Sequence, residues 1–227
     1  MSGIVGSKFN IRGSGLVGSL GTDGQHMLSA GAGKTNVFET VAAASSDFVK
    51  LATVTGDTAS TATVDINGHF SSTYDFYKIY GSEVCPGTDN QDFNCRVMIS
   101  DSIDTNSIYV HANFASYLDT SPAHNIQAPN SSDTDAPSDT WIQNANDQGN
   151  DATINSWLEM IIANPLSTAK HKMLGLKRHY RTGGTSGGEM LIFYSSCWIQ
   201  TTSALTGISF HFSSGNIGGS YKLYGMK

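Results

Sequence analysis

The 227 residues carry 13 Lys and Arg against 19 Asp and Glu, a net charge of −6, and only 14% of the chain is charged. Such a chain has no basic stripe with which to displace counterions from a phosphate backbone, so nucleic acid is not an expected partner. No run of about 18 apolar residues occurs, and no basic segment followed by an apolar one opens the chain, so neither membrane insertion nor a secretory signal is expected.

The length suits one large domain, or one domain with an arm. With 24 Gly residues and abundant Ser and Thr, the composition is that of a turn-rich β protein. Residues 1–45 read as the arm. Glycines stand at 3, 6, 13, 15, 18, 21, 24, 31 and 33 with few large apolar residues between them. Such a segment buries too little surface to offset its own ordering entropy, so it is expected to order against a partner or to stay flexible.

Two phosphate-binding patterns fall in this arm, and both lack their context. Gly13-Ser14-Gly15-Leu16-Val17-Gly18 matches a dinucleotide fingerprint to the letter. The fingerprint needs a buried strand before it and a helix opening on it, and neither pattern is present. Gly31-Ala32-Gly33-Lys34-Thr35 evokes a phosphate-binding loop, but Leu28 stands where the first glycine is required. These glycines read better as a connector whose backbone can approach another subunit closely.

From Phe48 to the C-terminus, short apolar runs alternate with Gly, Asn, Asp, Ser and Pro clusters, as in an all-β sandwich or barrel. Ala62, Val64, Ile66, Gly68 and Phe70 share one face of the first alternating run after the Phe48 strand, with Thr63, Asp65 and Asn67 on the other. Tyr77 and Ile79 alternate with Lys78 and Tyr80. Phe93, Cys95, Val97 and Ile99 alternate with Asn94, Arg96 and Met98. Later strands are NSIYVHANF, KHKMLGLKRHY, EMLIFYSSCWI, LTGISFHF and SYKLYG, about nine or ten in all. That number predicts two packed sheets, an antiparallel jelly-roll-like β-sandwich over residues 46–227.

Two further segments shape the reading. Residues 118–151 form a long acidic stretch rich in Pro and Asn, read as a loop that carries function or packs on a neighbour. In DATINSWLEMIIANP, Ile154, Trp157, Leu158, Ile161 and Ile162 have helical spacing, with Asp151 as N-cap and Pro165 as stop. The β-branched and aromatic content favours a strand instead, and both readings stay open.

The chain also echoes itself. Phe70-Ser71-Ser72 precedes Tyr77-Lys78-Ile79-Tyr80-Gly81, and Phe212-Ser213-Ser214 precedes Tyr221-Lys222-Leu223-Tyr224-Gly225. The repeat predicts that an early and a late strand lie side by side, as in a Greek-key or jelly-roll arrangement.

Candidate chemistry is sparse. No nucleophile elbow occurs, and the carboxylates of Asp89, Asp92, Asp101, Asp104 and the Asp133–Asp151 stretch have no diagnostic spacing. The seven histidines show no zinc spacing. Asn144, Asn146, Gln148 and Asp151 follow the rhythm of a calcium loop but lack its carboxylates, and Asn155 stands where the bidentate Glu belongs. No catalytic residue, metal or cofactor is expected. Cys85, Cys95 and Cys197 form no CxxC pair, although a Cys85–Cys95 bridge would close the loop between them.

The phrase LGTDGQHMLSAGAGKTNVFE, residues 20–39, resembles a linker in small virion structural proteins of tailed, especially marine, bacteriophages. The closing segment SALTGISFHFSSGNIGGSYKLYG is more loosely similar to the ends of such proteins, and the middle departs freely. The resemblance implies a non-enzymatic fibre- or decoration-type surface component, made in the bacterial cytoplasm and carried on the virion. It implies an arm that docks to other virion proteins or winds with sister subunits, with Gly21, Asp23, Gly24, Gly31 and Gly33 as assembly residues. The body would self-associate through strand edges and Tyr/Phe surfaces, as a trimer. The alternative is a host-receptor module, in which Trp141 and Tyr117 would stack on a surface glycan.

Overall fold

The computed structural model describes residues 25–28, 37–40, 47–118, 124–127, 142–151, 153, 155–183 and 188–227. The chain divides into two units, Met1–Ser46 and Asp47–Lys227. In the first, β1 (Gln25–Leu28) and β2 (Val37–Thr40) pair antiparallel, with Gln25 opposite Thr40 and Leu28 opposite Val37. The sequence reading has no strand here. Val37–Thr40 is a strand and not a helix, while Gly31–Thr35 lie outside the described residues.

The second unit is an antiparallel β-sandwich. Its strands are β3 (Phe48–Gly56), β4 (Val64–Asn67), β5 (Phe76–Pro86), β6 (Gln91–Ile99), β7 (Ser102–Ile103), β8 (Tyr109–Leu118) and β9 (His124–Gln127). They continue as β10 (Ile142–Gln148), β11 (Trp157–Ala163), β12 (Lys172–Arg181), β13 (Met190–Ile199), β14 (Gly207–Phe212) and β15 (Ile217–Met226). Eight strands form one sheet in the order β3-β15-β5-β11-β12-β13-β8-β9; the other has the order β10-β6-β14-β4, with β7 paired to β6. Among the described residues there is no helix.

The C-terminal strands are the spine of both sheets. β15 lies between β3 and β5 in the larger sheet, while β14 lies between β4 and β6 in the smaller one. The chain therefore runs β3 to β4 and β5 to β6 as two ribbons that cross between sheets, each pairing along its length with the returning ribbon β14 to β15. A ribbon rolled in this way between two layers is the jelly-roll type of connection.

The internal echo meets itself in this arrangement. β5 and β15 pair antiparallel with Tyr77 opposite Gly225, Ile79 opposite Leu223 and Gly81 opposite Tyr221, so the two copies are related by a local twofold. Each buried tyrosine, Tyr77 and Tyr221, faces a glycine across the ladder. Gly225 leaves room for the Tyr74 ring, whose atoms come within 2.5 Å of where a Cβ would stand. Replacing either glycine would push a side chain into ring or core.

Alternation accounts for the core. Val64, Ile66, Tyr77, Ile79, Phe93, Cys95 and Val97 are all buried at the predicted parity. Along β12, Leu174, Leu176, Arg178 and Tyr180 point inward; along β13, Leu191, Phe193, Ser195, Cys197 and Ile199 do the same. Each fully buried large apolar side chain contributes about 1.5–3 kcal/mol over exposure. Gly68 ends β4 with φ 75°, a left-handed conformation that suits glycine.

The open question in the Trp157 segment is resolved as a strand. Leu158, Met160 and Ile162 are buried while Trp157, Glu159 and Ile161 face out, and β11 is hydrogen-bonded on both sides, by β5 and β12. Two-sided pairing outweighs the helical spacing.

The loop expectation for 118–151 is corrected in part. β9 pairs with the end of β8, and β10 pairs with β6. Ile142 and Gln148 of β10 are buried at 2% and 1% exposure. A strand with few apolar residues is hidden from periodicity when polar side chains such as Gln148 occupy its inward positions.

Candidate binding face on the eight-stranded sheet

The outward residues of the eight-stranded sheet are unusually apolar. Among the described residues nine large apolar side chains are exposed, and all but Ile103 stand on this face: Phe48, Phe76, Phe114, Ile161, Met173, Met190, Tyr194 and Trp198. A sheet face that met only water would alternate to polar residues at these positions. Exposed apolar side chains gathered on one face make it the candidate interaction surface.

Register places the side chains in rows across the strands. One row runs Lys222, Tyr80, Glu159, Lys177, Tyr194, Phe114; the next runs Tyr224, Lys78, Ile161, Gly175, Ser196, Ala112. Gly175, near the middle, has no side chain, so the face sinks there into a trough of about 570 Å³. Phe114 and Tyr194 flank it as a tilted ring pair, centres 6.3 Å apart. Ile161, Glu159, Lys177 and Ser196 complete the lining.

The charges are arranged unequally. Glu159 is taken up by Lys78, with Nζ 2.5 Å from the carboxylate, and that hydrogen bond holds the Lys78 ammonium above its ordinary pKa. Lys177 has no carboxylate partner among the described residues; its Nζ lies 5.3 Å from the ring centres of both Trp157 and Tyr194. His179 stacks on Trp157 at 4.4 Å, and burial, with Lys177 nearby, holds its pKa below the usual value.

A second aromatic group lies towards the β3 edge. Phe48 stacks on Tyr224 with ring centres 4.5 Å apart and planes at 7°, and Tyr80 meets Tyr224 edge-on at 5.9 Å. Among the described residues no strand pairs with the outer side of β3. Nine residues of open edge beside exposed rings are an association surface unless something covers them.

The interior is chemically quiet. Burial pushes Tyr109, Tyr221 and Cys197 upward, so none of them ionises in the neutral range. None of Cys85, Cys95 and Cys197 is in a disulfide, so the Cys85–Cys95 bridge is not formed. Cys95 points into the core from β6, whereas Cys85 is half-buried in β5 of the other sheet. Among the described residues no cluster of His, Cys, Asp and Glu could hold a metal. Gln148, read as part of a calcium-type rhythm, turns inward instead. Its Nε2 donates to Val84 O at 2.5 Å, and its Oε1 accepts from Arg178 Nη2.

The residues singled out by sequence fall elsewhere. Tyr117 lies in β8, its backbone opposite Leu191 of β13 and Asn125 of β9. Trp141 and the arm residues Gly21, Asp23, Gly24, Gly31 and Gly33 lie outside the described residues. The trough residues were missed by sequence reading. Their signal was that MLIFYSSCWI carries large apolar side chains at both parities. Comparison with family models, with curated proteins and with solved structures found no match to the chain.

Proposed function

We propose that the chain is a non-enzymatic structural protein of a tailed-bacteriophage virion, a fibre- or decoration-type surface component. Residues 1–45 dock it to other virion proteins, and the sandwich self-associates as a trimer. The observation that carries this reading is the β3 edge, unpaired among the described residues, with the exposed Phe48 stacked on the half-buried Tyr224 and Tyr80 beside it, which suits burial against a sister subunit. The arm-like composition of residues 1–45 and the resemblance of residues 20–39 to virion linkers support the same reading.

Two measurements test it. Purified particles of the source phage should contain the chain by mass spectrometry, and deleting residues 1–45 should remove it from them. In solution the full chain should run as a trimer by light scattering, and Phe48→Lys should shift it toward monomer. A full-length chain that stays monomeric at high concentration, and is missing from particles, would sink the proposal.

A further inference from the structure

The trough at Gly175 lies on the strands β11, β12, β13 and β8, away from the β3 edge, and its chemistry points to a ligand of its own. We infer that it binds an acidic polysaccharide, a glycan chain bearing uronic acid carboxylates. The inference does not depend on the virion reading, since it stands on the trough alone.

Four observations converge. The rings of Phe114 and Tyr194 are exposed at 41% and 42% and flank a floor opened by the missing side chain of Gly175. Aromatic rings held in this way offer flat apolar faces, with a polar tip on Tyr194, to a ligand that is apolar on its faces and hydroxylated at its rim. The volume of about 570 Å³ lies within the range of small-molecule sites, about 300–1,000 Å³. Ser196 and Glu159 add hydroxyl and carboxylate partners for sugar hydroxyls.

Charge then selects among glycans. Glu159, opposite Lys177 in the ladder, is already engaged by Lys78, so among the described residues Lys177 is left without an ion pair, its Nζ over the rings of Trp157 and Tyr194. The chain as a whole is acidic at −6, yet among the described residues the trough holds Lys177 and Glu159, with Lys78 paired to Glu159 beside it. A neutral glycan would leave Lys177 unused. A uronate places its carboxylate there while its ring stacks on Tyr194. An acidic peptide is disfavoured because the trough lies on a sheet face, where the backbone groups are already paired to neighbouring strands and cannot extend the ladder.

The test is affinity electrophoresis and calorimetry on the full chain, with polygalacturonate as probe, dextran as the neutral glycan and polyglutamate as the acidic peptide. Polygalacturonate should bind and dextran should not. Lys177→Met and Tyr194→Ser should each weaken binding about tenfold, as expected for central contacts, and added salt should weaken the native chain more than Lys177→Met. Gly175→Val should fill the floor and abolish binding. Its Cβ would stand 3.2 Å from Ile161 Cγ2, so thermal unfolding is followed in parallel; the two outward substitutions, which fill no space, decide the matter if that variant fails to fold. No binding of polygalacturonate, equal binding of polyglutamate, or binding unmoved by Lys177→Met and Tyr194→Ser would overturn the inference. Particle incorporation plays no part in this readout, so either reading can fail without the other.

Discussion

The guanidinium carbon of Arg178 lies 3.9 Å from the centre of the Phe93 ring, so a buried cation on the larger sheet rests against an aromatic ring of the smaller one. Arg178 is fully buried, and desolvation lowers its pKa to about 10. Among the described residues its side chain hydrogen-bonds Gln148 Oε1 alone, donated from Nη2 at 2.5 Å, and Nε and Nη1 meet no protein acceptor. Gln148 in turn ties Val84 and Ser156, so one amide serves both sheets.

This arrangement predicts an asymmetry. Gln148→Leu strands the guanidinium in the core and should cost about 3–5 kcal/mol, whereas Arg178→Met removes the charge, leaves only the neutral Gln148 Oε1 unpaired and should cost less, about 1–3 kcal/mol. Urea unfolding of the two variants checks it. A larger loss in Arg178→Met than in Gln148→Leu would contradict the assignment.

The paired tyrosines differ in what their hydroxyls hold. Tyr77 Oη donates to Ser71 O at 2.7 Å and accepts from Ser71 N at 2.6 Å, pinning the loop before β5. Among the described residues Tyr221 Oη makes only a long bond to Gly218 O at 3.3 Å. Tyr77→Phe should therefore cost about 1–3 kcal/mol, and Tyr221→Phe less. Equal losses in denaturant titrations would show that the local twofold extends to function of the hydroxyls.

Gly225 should tolerate no side chain. A Cβ there would meet the Tyr74 ring at 2.5 Å, so Gly225→Ala is expected to destabilise by about 1–3 kcal/mol through overpacking. The double variant Gly225→Ala with Tyr74→Ala should recover part of that cost, which a double-mutant cycle measures. No recovery would mean that the strain lies in the backbone.

Stability should fall as the solution is acidified below neutrality. Burial lowers the pKa of His179, helped by Lys177, and that of His211, where Arg96 adds to burial and Asp65 opposes it. With folded values below the unfolded value of about 6.5, the unfolded chain binds more protons, so stability rises with pH across that window and is full above it. Each histidine contributes a slope of at most about 1.4 kcal/mol per pH unit. Unfolding free energies between pH 7 and 5 should flatten in the double variant His179→Gln, His211→Gln.

Thiol chemistry should single out one cysteine. Cys85 is half-buried with its pKa raised by burial and by Glu83, whereas Cys95 and Cys197 are buried. Iodoacetamide at neutral pH should label the native chain slowly at Cys85 alone, and peptide mapping reads the site. Rapid labelling of Cys95 would show that the sandwich opens locally.

The sandwich, most of its strands and the inward residues were legible because burial on one side imposes a period of two, and Tyr77, Ile79, Phe93 and Val97 obey it. The echo of residues 77–81 in 221–225 even foretold which distant strands meet, since its two copies supply matching rings and glycines to one ladder. β10 was not legible, because its buried positions include the polar Gln148, whose partner Arg178 comes from far along the chain. The trough was not legible either. It exists because pairing brings Gly175 between Ile161 and Ser196 and sets Lys177 beside Tyr194, and strand register is a property of the closed sheet. Local alternation thus determines which side chains face the core, while only tertiary pairing decides which of the outward ones stand together, because neighbours across a sheet are chosen by topology and not by sequence distance.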